Sequence, residues 1–148
     1  MTAERQYCTF HLGGLYLGIE VTRVQEVIRH QQMTPVPLAP SLVGGLINLR
    51  GQIVTAIDLR ERLGLPPRSG GRLPMNVVVR TDDGAISLLV DEIGDVVEVL
   101  PETFEGAPET LTGVARELIV GTYKLPDRLL LVLDTDKAVN LVAHTGER

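Results

Sequence analysis

The sequence predicts a mainly β protein made of two related halves, each forming a small barrel, and three observations carry that expectation. The chain repeats itself, its apolar residues are branched aliphatics with few aromatics, and short apolar runs recur on either side of two-residue turns.

The segment from Gly45 to Asp58 recurs from Gly121 to Asp134, with the same order of glycine, apolar run, turn, apolar run and aspartate. A second alignment, shifted by 69 positions, lays Phe10 on Val79, Val24 on Ile93, Glu26 on Asp95, Val27 on Val96 and Ile28 on Val97. Two copies are too few for a solenoid, so two packed barrels or sheets are the natural outcome. One domain is expected over 1–148, with lobe one at about 7–63, a linker at 64–75 and lobe two at about 76–139. The repeat leaves open whether the barrels exchange strands.

Hydrophobic residues make up 44% of the chain and charged ones 22%, a balance that argues against disorder. Without tryptophan, and with 3% aromatics, the core must be built from Val, Leu and Ile, which suit a pleated surface. The net charge of -5 and the lack of a Lys/Arg cluster disfavour nucleic acid as a partner. No apolar run is long enough to cross a membrane as a helix, and the N-terminus lacks the basic-then-apolar order of a secretion signal. A lone Cys8 agrees with a reducing cytoplasm.

Gly13-Gly14 predicts a hairpin between Gln6–Leu12 and Leu15–Glu20. Thr22–His30 carries Val24, Val27 and Ile28 at helical spacing but is β-branched, so one helical turn leading into a strand is expected. Pro35, Pro37 and Pro40 give a rigid loop before a short helical turn opened by Ser41. Leu46–Leu49 and Ile53–Ile57 pair across Arg50-Gly51, and Asp58 caps a helix over Leu59–Leu63. Pro66-Pro67 and Ser69-Gly70-Gly71 mark the linker. Asn76–Arg80, Ala85–Val90 and Val96–Leu100 repeat the opening pattern; Glu102–Glu117 reads as irregular with two turns. Leu118–Lys124 and Leu129–Leu133 form the last hairpin, and Asp134 caps Thr135–Val142.

Catalytic chemistry finds little support. His11, His30 and His144 lack metal-ligand spacing, Cys8 reads as a buried inert thiol, and Gly44-Gly45 and Gly70-Gly71 lack the Lys-Ser/Thr of a phosphate loop. Asp58, Asp91 and Asp134 each end an apolar strand, where capping or turn roles suffice. No metal, cofactor or catalytic residue is predicted. What stands out is Asn48-Leu49-Arg50-Gly51, because the second copy has the ordinary turn sequence Lys124-Leu125-Pro126-Asp127 at that place. Arg50 is either a solvated loop charge or an anchor for a carboxylate such as Glu26 or for a partner protein.

The run Phe10-His-Leu-Gly-Gly-Leu-Tyr16-Leu-Gly-Ile-Glu-Val21, with Val24-Gln-Glu26-Val-Ile28, Thr34-Pro-Val-Pro37, Gly45-Leu-Ile-Asn-Leu-Arg-Gly-Gln-Ile-Val54, Ile57-Asp-Leu-Arg60, Leu88-Leu-Val-Asp91 and Leu131-Val-Leu-Asp134, resembles the CheW family of chemotaxis coupling proteins. The resemblance covers roughly 6 to 142. It implies two packed SH3-like five-stranded β-barrels with short helices, and no enzymatic activity. It implies a cytoplasmic adaptor that joins chemoreceptor signalling tips to the regulatory domain of a CheA-type histidine kinase and is recruited to receptor arrays at the inner face of the membrane. Paired barrels that satisfy most strand edges internally, with the net charge of -5, predict a monomer when the protein is isolated. By position it places Val24, Glu26, Arg50, Val77, Ile93 and Val96 at or beneath the receptor groove, and Met33, Thr34, Val43 and Gly44 on the kinase-facing edge. Thr55-Ala56, where the family often has proline, and the basic loop with Arg68 and Arg72 depart from the common pattern, the latter bearing on partner choice. No receiver or kinase domain is expected in the chain. An adaptor predicts a rigid apolar groove and a small enzyme predicts convergent titratable groups; a third reading is a scaffold for surface motility, development or second-messenger control.

Overall fold

Two-residue turns set three of the four hairpins in this protein, whose computed structural model describes residues 5–68 and 70–140. Ser69 of the predicted linker, His144 and the end of the predicted C-terminal helix lie outside the described residues. Strands β1 (Arg5–Leu12) and β2 (Leu15–Glu20) join across Gly13-Gly14, and a 3-10 turn (Val21–Arg23) leads into β3 (Val24–Ile28). Strands β4 (Val43–Leu49) and β5 (Gln52–Asp58) join across Arg50-Gly51 and run into helix α1 (Leu59–Arg62). Strands β6 (Met75–Thr81) and β7 (Gly84–Val90) join across Asp82-Asp83, followed by β8 (Glu92–Val99), a 3-10 turn (Pro101–Thr103) and β9 (Phe104–Glu105). Helix α2 (Gly113–Leu118), strands β10 (Ile119–Lys124) and β11 (Leu129–Leu133) and helix α3 (Thr135–Val139) complete the chain.

Two expectations are corrected. The stretch read as irregular contains β9 and α2, whose polar sequence hides a helix packed only through Leu118 and Ala115. The helical turn expected at Ser41 is a single turn closed by Val43 N–H donating to the Pro40 carbonyl, after which the chain is already extended.

The strands form two sheets, ordered β8-β1-β2-β11-β10-β9 and β3-β6-β7-β5-β4. Each sheet therefore takes a hairpin from the other half of the sequence: β1-β2 pairs with late strands, and β6-β7 with early ones. The register of this exchange follows the repeat. Val24 faces Val79 while Ile93 faces Phe10, Val27 faces Val77 while Val96 faces Cys8, and Ile28 faces Asn76 while Val97 faces Tyr7. The parallel junctions obey it too, with Thr55 opposite Ile86 and Leu131 opposite Leu17.

Alternation along the strands feeds three cores. Ile47, Leu49, Val54, Ala56, Val78 and Leu89 fill the inside of the five-stranded sheet, which we term barrel B. Tyr7, Val99, Tyr123, Leu130 and Val132 fill the inside of the other sheet, barrel A. Their neighbours on the same strands, including Phe10, Leu17, Ile57, Val77, Val79, Leu88, Leu131 and Leu133, meet in one layer between the barrels. At Leu88-Leu89-Val90 successive side chains serve layer, barrel, layer.

Both barrels close because the chain beyond an edge strand crosses back over the opposite edge. Beyond β3, Thr34 exchanges two backbone hydrogen bonds of 2.8 Å with Leu46 on β4; beyond β8, β9 pairs with β10. This crossing explains the paired repeat glycines. A Cβ on Gly45 would lie 2.9 Å from the Thr34 carbonyl oxygen, and one on Gly121 would strike the Phe104 ring and lie 2.6 Å from the Glu105 oxygen. Gly121→Ala is expected to lose about 1–3 kcal/mol by overpacking, read as a lower denaturation midpoint with an unchanged m-value; a wild-type midpoint would show that the crossing is loose.

Candidate partner-binding site

Strands β3 and β8 are edges of their sheets, and both border the layer between the barrels. Val24 and Ile93 are half-buried and pack on that layer, one from each barrel. Cross-strand partners share a face. Val24 and Val27 therefore lie on the layer side of β3, opposite Val79 and Val77, and Ile93 lies on the layer side of β8, opposite Phe10. Val96 shares its face with Cys8 and is 56% exposed, while its repeat mate Val27 is 41% exposed. Register shifts between Val24 and Glu26, and between Cys8 and Phe10 where they meet β8, fall at matching places in the two barrels. On β3 the bulge lets valines three apart share one face, which is why their spacing imitates a helix.

The same bulge separates Glu26 from Val24. Glu26 lies opposite Val78, whose side chain faces the inside of barrel B, and it meets Arg50 at the barrel rim. The guanidinium grips the carboxylate through both terminal nitrogens, at 2.8 Å and 2.6 Å. This hydrogen bonding from Arg50 holds the Glu26 carboxyl below its ordinary pKa. The pair is lopsided: the Glu26 side chain is 17% exposed and that of Arg50 is 73% exposed. Arg50 has φ 51° and Gly51 φ 88°, a pattern in which asparagine or glycine usually precedes the final glycine. Asn48 Oδ1 accepts from the Gly51 N–H at 2.8 Å and braces the turn. Arg50 thus occupies an unfavoured backbone region and reaches Glu26 from it.

Val77 is not on this surface. It is 1% exposed in the layer between the barrels, so it can only support the valines above it.

Met33, Thr34, Val43 and Gly44 do come together, along the β4 edge of barrel B. Met33 packs on the barrel core with its sulfur near Gly44, where a Cβ would lie 3.5 Å from Sδ. Ile53, 61% exposed, lines the same recess as Met33, Thr34 and Leu46. Sequence alternation hid Ile53 because it follows the apolar pattern of a core strand.

Asp91 also escaped the sequence reading as a cap or turn residue. It sits between β7 of barrel B and β8 of barrel A, 7% exposed, and caps no helix. Arg60 donates to both its oxygens at 2.9 and 2.7 Å, Arg68 Nε donates at 2.9 Å, and the Gly13 N–H donates at 2.8 Å. Burial alone would raise its pKa, but the bonds from Arg60, Gly13 and Arg68 outweigh that and hold the carboxyl well below the usual carboxylate range. Arg68 is therefore committed within the molecule, whereas Arg72, 3.4 Å from Glu92, remains 61% exposed. Asp58 and Asp134 do cap α1 and α3, accepting from Arg60 N and Lys137 N at 3.1 Å. Cys8 is only half-buried, and burial raises its pKa, which keeps it protonated and poorly reactive.

Among the described residues no group of three or more His, Cys, Asp or Glu side chains could hold a metal ion, and no helix is long and apolar enough to cross a membrane.

Known proteins resemble the chain in both sequence and fold. The chemotaxis protein CheW of Treponema pallidum is 33% identical over 136 residues, which cover 89% of this chain and 80% of that one. The chemotaxis protein CheW of Bacillus subtilis is 33% identical over 147 residues, covering 95% and 92%. The crystal structure of the scaffolding protein TtCheW from Thermoanaerobacter tengcongensis superposes with a TM-score of 0.78 at 25% identity, covering 88% of this chain and 89% of that one. The sequence profile of the CheW-like domain matches residues 6–143, and the chain belongs to that family.

Proposed function

We propose that this chain is a non-enzymatic adaptor of chemotaxis signalling that couples chemoreceptors to a CheA-type histidine kinase. The observation that carries the proposal is the apolar seam where Val24 and Val27 of one barrel and Ile93 and Val96 of the other flank a shared layer. A helical receptor tip fits such a seam by laying an apolar face into it. Glu26 and Arg50 stand at the adjoining rim, where the exposed guanidinium can orient the helix through its polar groups. The kinase regulatory domain docks on the β4 edge at Met33, Thr34, Val43 and Gly44, with Ile53 added. The two surfaces lie on different strands, so both partners can be held together.

Each contact is expected to be micromolar, since neither surface carries a tryptophan or clustered tyrosines as anchors. Calorimetric titration with the cognate kinase regulatory domain and, separately, a receptor-tip fragment tests this. Saturable binding of each supports the adaptor, whereas failure of both with a folded protein refutes it. The free protein is expected to be monomeric and cytoplasmic, and to join receptor arrays through these contacts; light scattering showing an obligate dimer at micromolar concentration would contradict the first part.

A further inference from the structure

We infer that the two walls of the seam are held unequally, with β8 fixed and the start of β3 yielding. Two clasps tie the barrels crosswise. On one side α1, which follows a strand of barrel B, holds the start of β8 in barrel A through Arg60 and Asp91. On the other side α3, which follows a strand of barrel A, holds the start of β3 in barrel B through Asp136 and Arg23, at 2.8 Å. The repeat relates them: Arg60 corresponds to Asp136, and Asp91 corresponds to Thr22, next to Arg23. The second clasp thus stands close to the place of the first, with opposite polarity and displaced by one residue on the β3 side.

The clasps differ in surroundings. Asp91 is buried and receives two arginines and a backbone N–H, and just beyond it the buried Thr9 hydroxyl donates to the Asp95 carbonyl at 2.6 Å. Asp136 is 77% exposed, and Arg23 is its single ion-pair partner among the described residues. The further ties on residues 22–26 come from arginines exposed to solvent: Arg80 donates to the carbonyls of Thr22 and Val24 at 3.0 and 3.1 Å, and Arg50, 73% exposed, grips Glu26. Exposed pairs are screened by salt and contribute little, whereas a buried, multiply bonded carboxylate does not open cheaply. The far end of β3 is better held, because the buried Asn76 donates to the Arg29 carbonyl at 3.2 Å. Yielding is therefore confined to residues 22–26, the part of the wall that carries Val24.

A seam with one fixed wall and one yielding wall can tighten on a bound helix without moving the whole barrel. The inference rests on the seam being the receptor site, but its test needs no partner, so either can fail alone. Native-state hydrogen exchange on the full chain should show residues 22–26 exchanging faster than 91–95. Asp136→Asn, and separately 0.5 M sodium chloride, should accelerate the first segment by about two- to fivefold while leaving the second unchanged. Equal exchange in the two segments, or no acceleration of 22–26 by either perturbation, would overturn it.

Discussion

Asp91→Asn is expected to lower stability by about 3–5 kcal/mol, because it leaves two largely buried arginines facing a neutral amide. For a chain of this size that is a fall in melting temperature of roughly 10 °C or more. The pH dependence separates this cause from simple loss of packing. The folded carboxyl titrates below its unfolded value of about 3.9. Its contribution is therefore fully present above pH 4 and is lost as pH falls through the folded value. The gap between wild type and variant should stay level from pH 7 to about 4 and narrow below that. A variant that melts within 2 °C of wild type, by the melting-temperature scale above, would show that the cluster is solvated and energetically idle.

Arg50→Ala is expected to weaken receptor binding about tenfold while kinase binding stays within a factor of two, as when one member of an interfacial charge pair is truncated. Stability should change little, since the Arg50 side chain is exposed and alanine keeps the same Cβ in the left-handed region, neither adding nor relieving backbone strain. The second repeat closes its turn with Pro126-Asp127 and no arginine at that place, so the fold does not demand one. Glu26→Gln should reproduce the defect if the pair acts as a unit. An Arg50→Ala protein that binds receptor as well as wild type would return Arg50 to an ordinary solvated charge.

The repeat was legible because each copy must place the same side chains on the same faces. Phe10 and Val79, aligned by sequence alone, occupy matching positions opposite Ile93 and Val24. The exchange of hairpins was not legible: the internal alignment is the same whether a hairpin pairs with its own half or the other. The Arg50–Glu26 pair was readable as a difference between copies that should fold alike. The Asp91 cluster was hidden because its members are distant in sequence and each has a local explanation, such as strand end, helix or linker. Whether Val77 lies at the groove or beneath it was not legible, since apolar strand residues look alike in sequence, and only the pairing with Val27 shows which one is covered. Helix α2 was missed because Gly113-Val-Ala-Arg-Glu-Leu118 is too short to show a period.

The central claim is that one small chain presents two separate surfaces to two partners, and single charges placed on each surface test it most directly. Val96→Glu puts a carboxylate on the exposed seam, and Thr34→Arg puts a cation on the β4 edge, where Thr34 engages through its backbone and is exposed. Both variants should fold. Titrations with the receptor-tip fragment and the kinase regulatory domain should show Val96→Glu losing receptor binding by at least about tenfold with kinase binding intact, and Thr34→Arg doing the reverse. Folded variants that weaken both partners equally, or neither, would contradict the two-surface account.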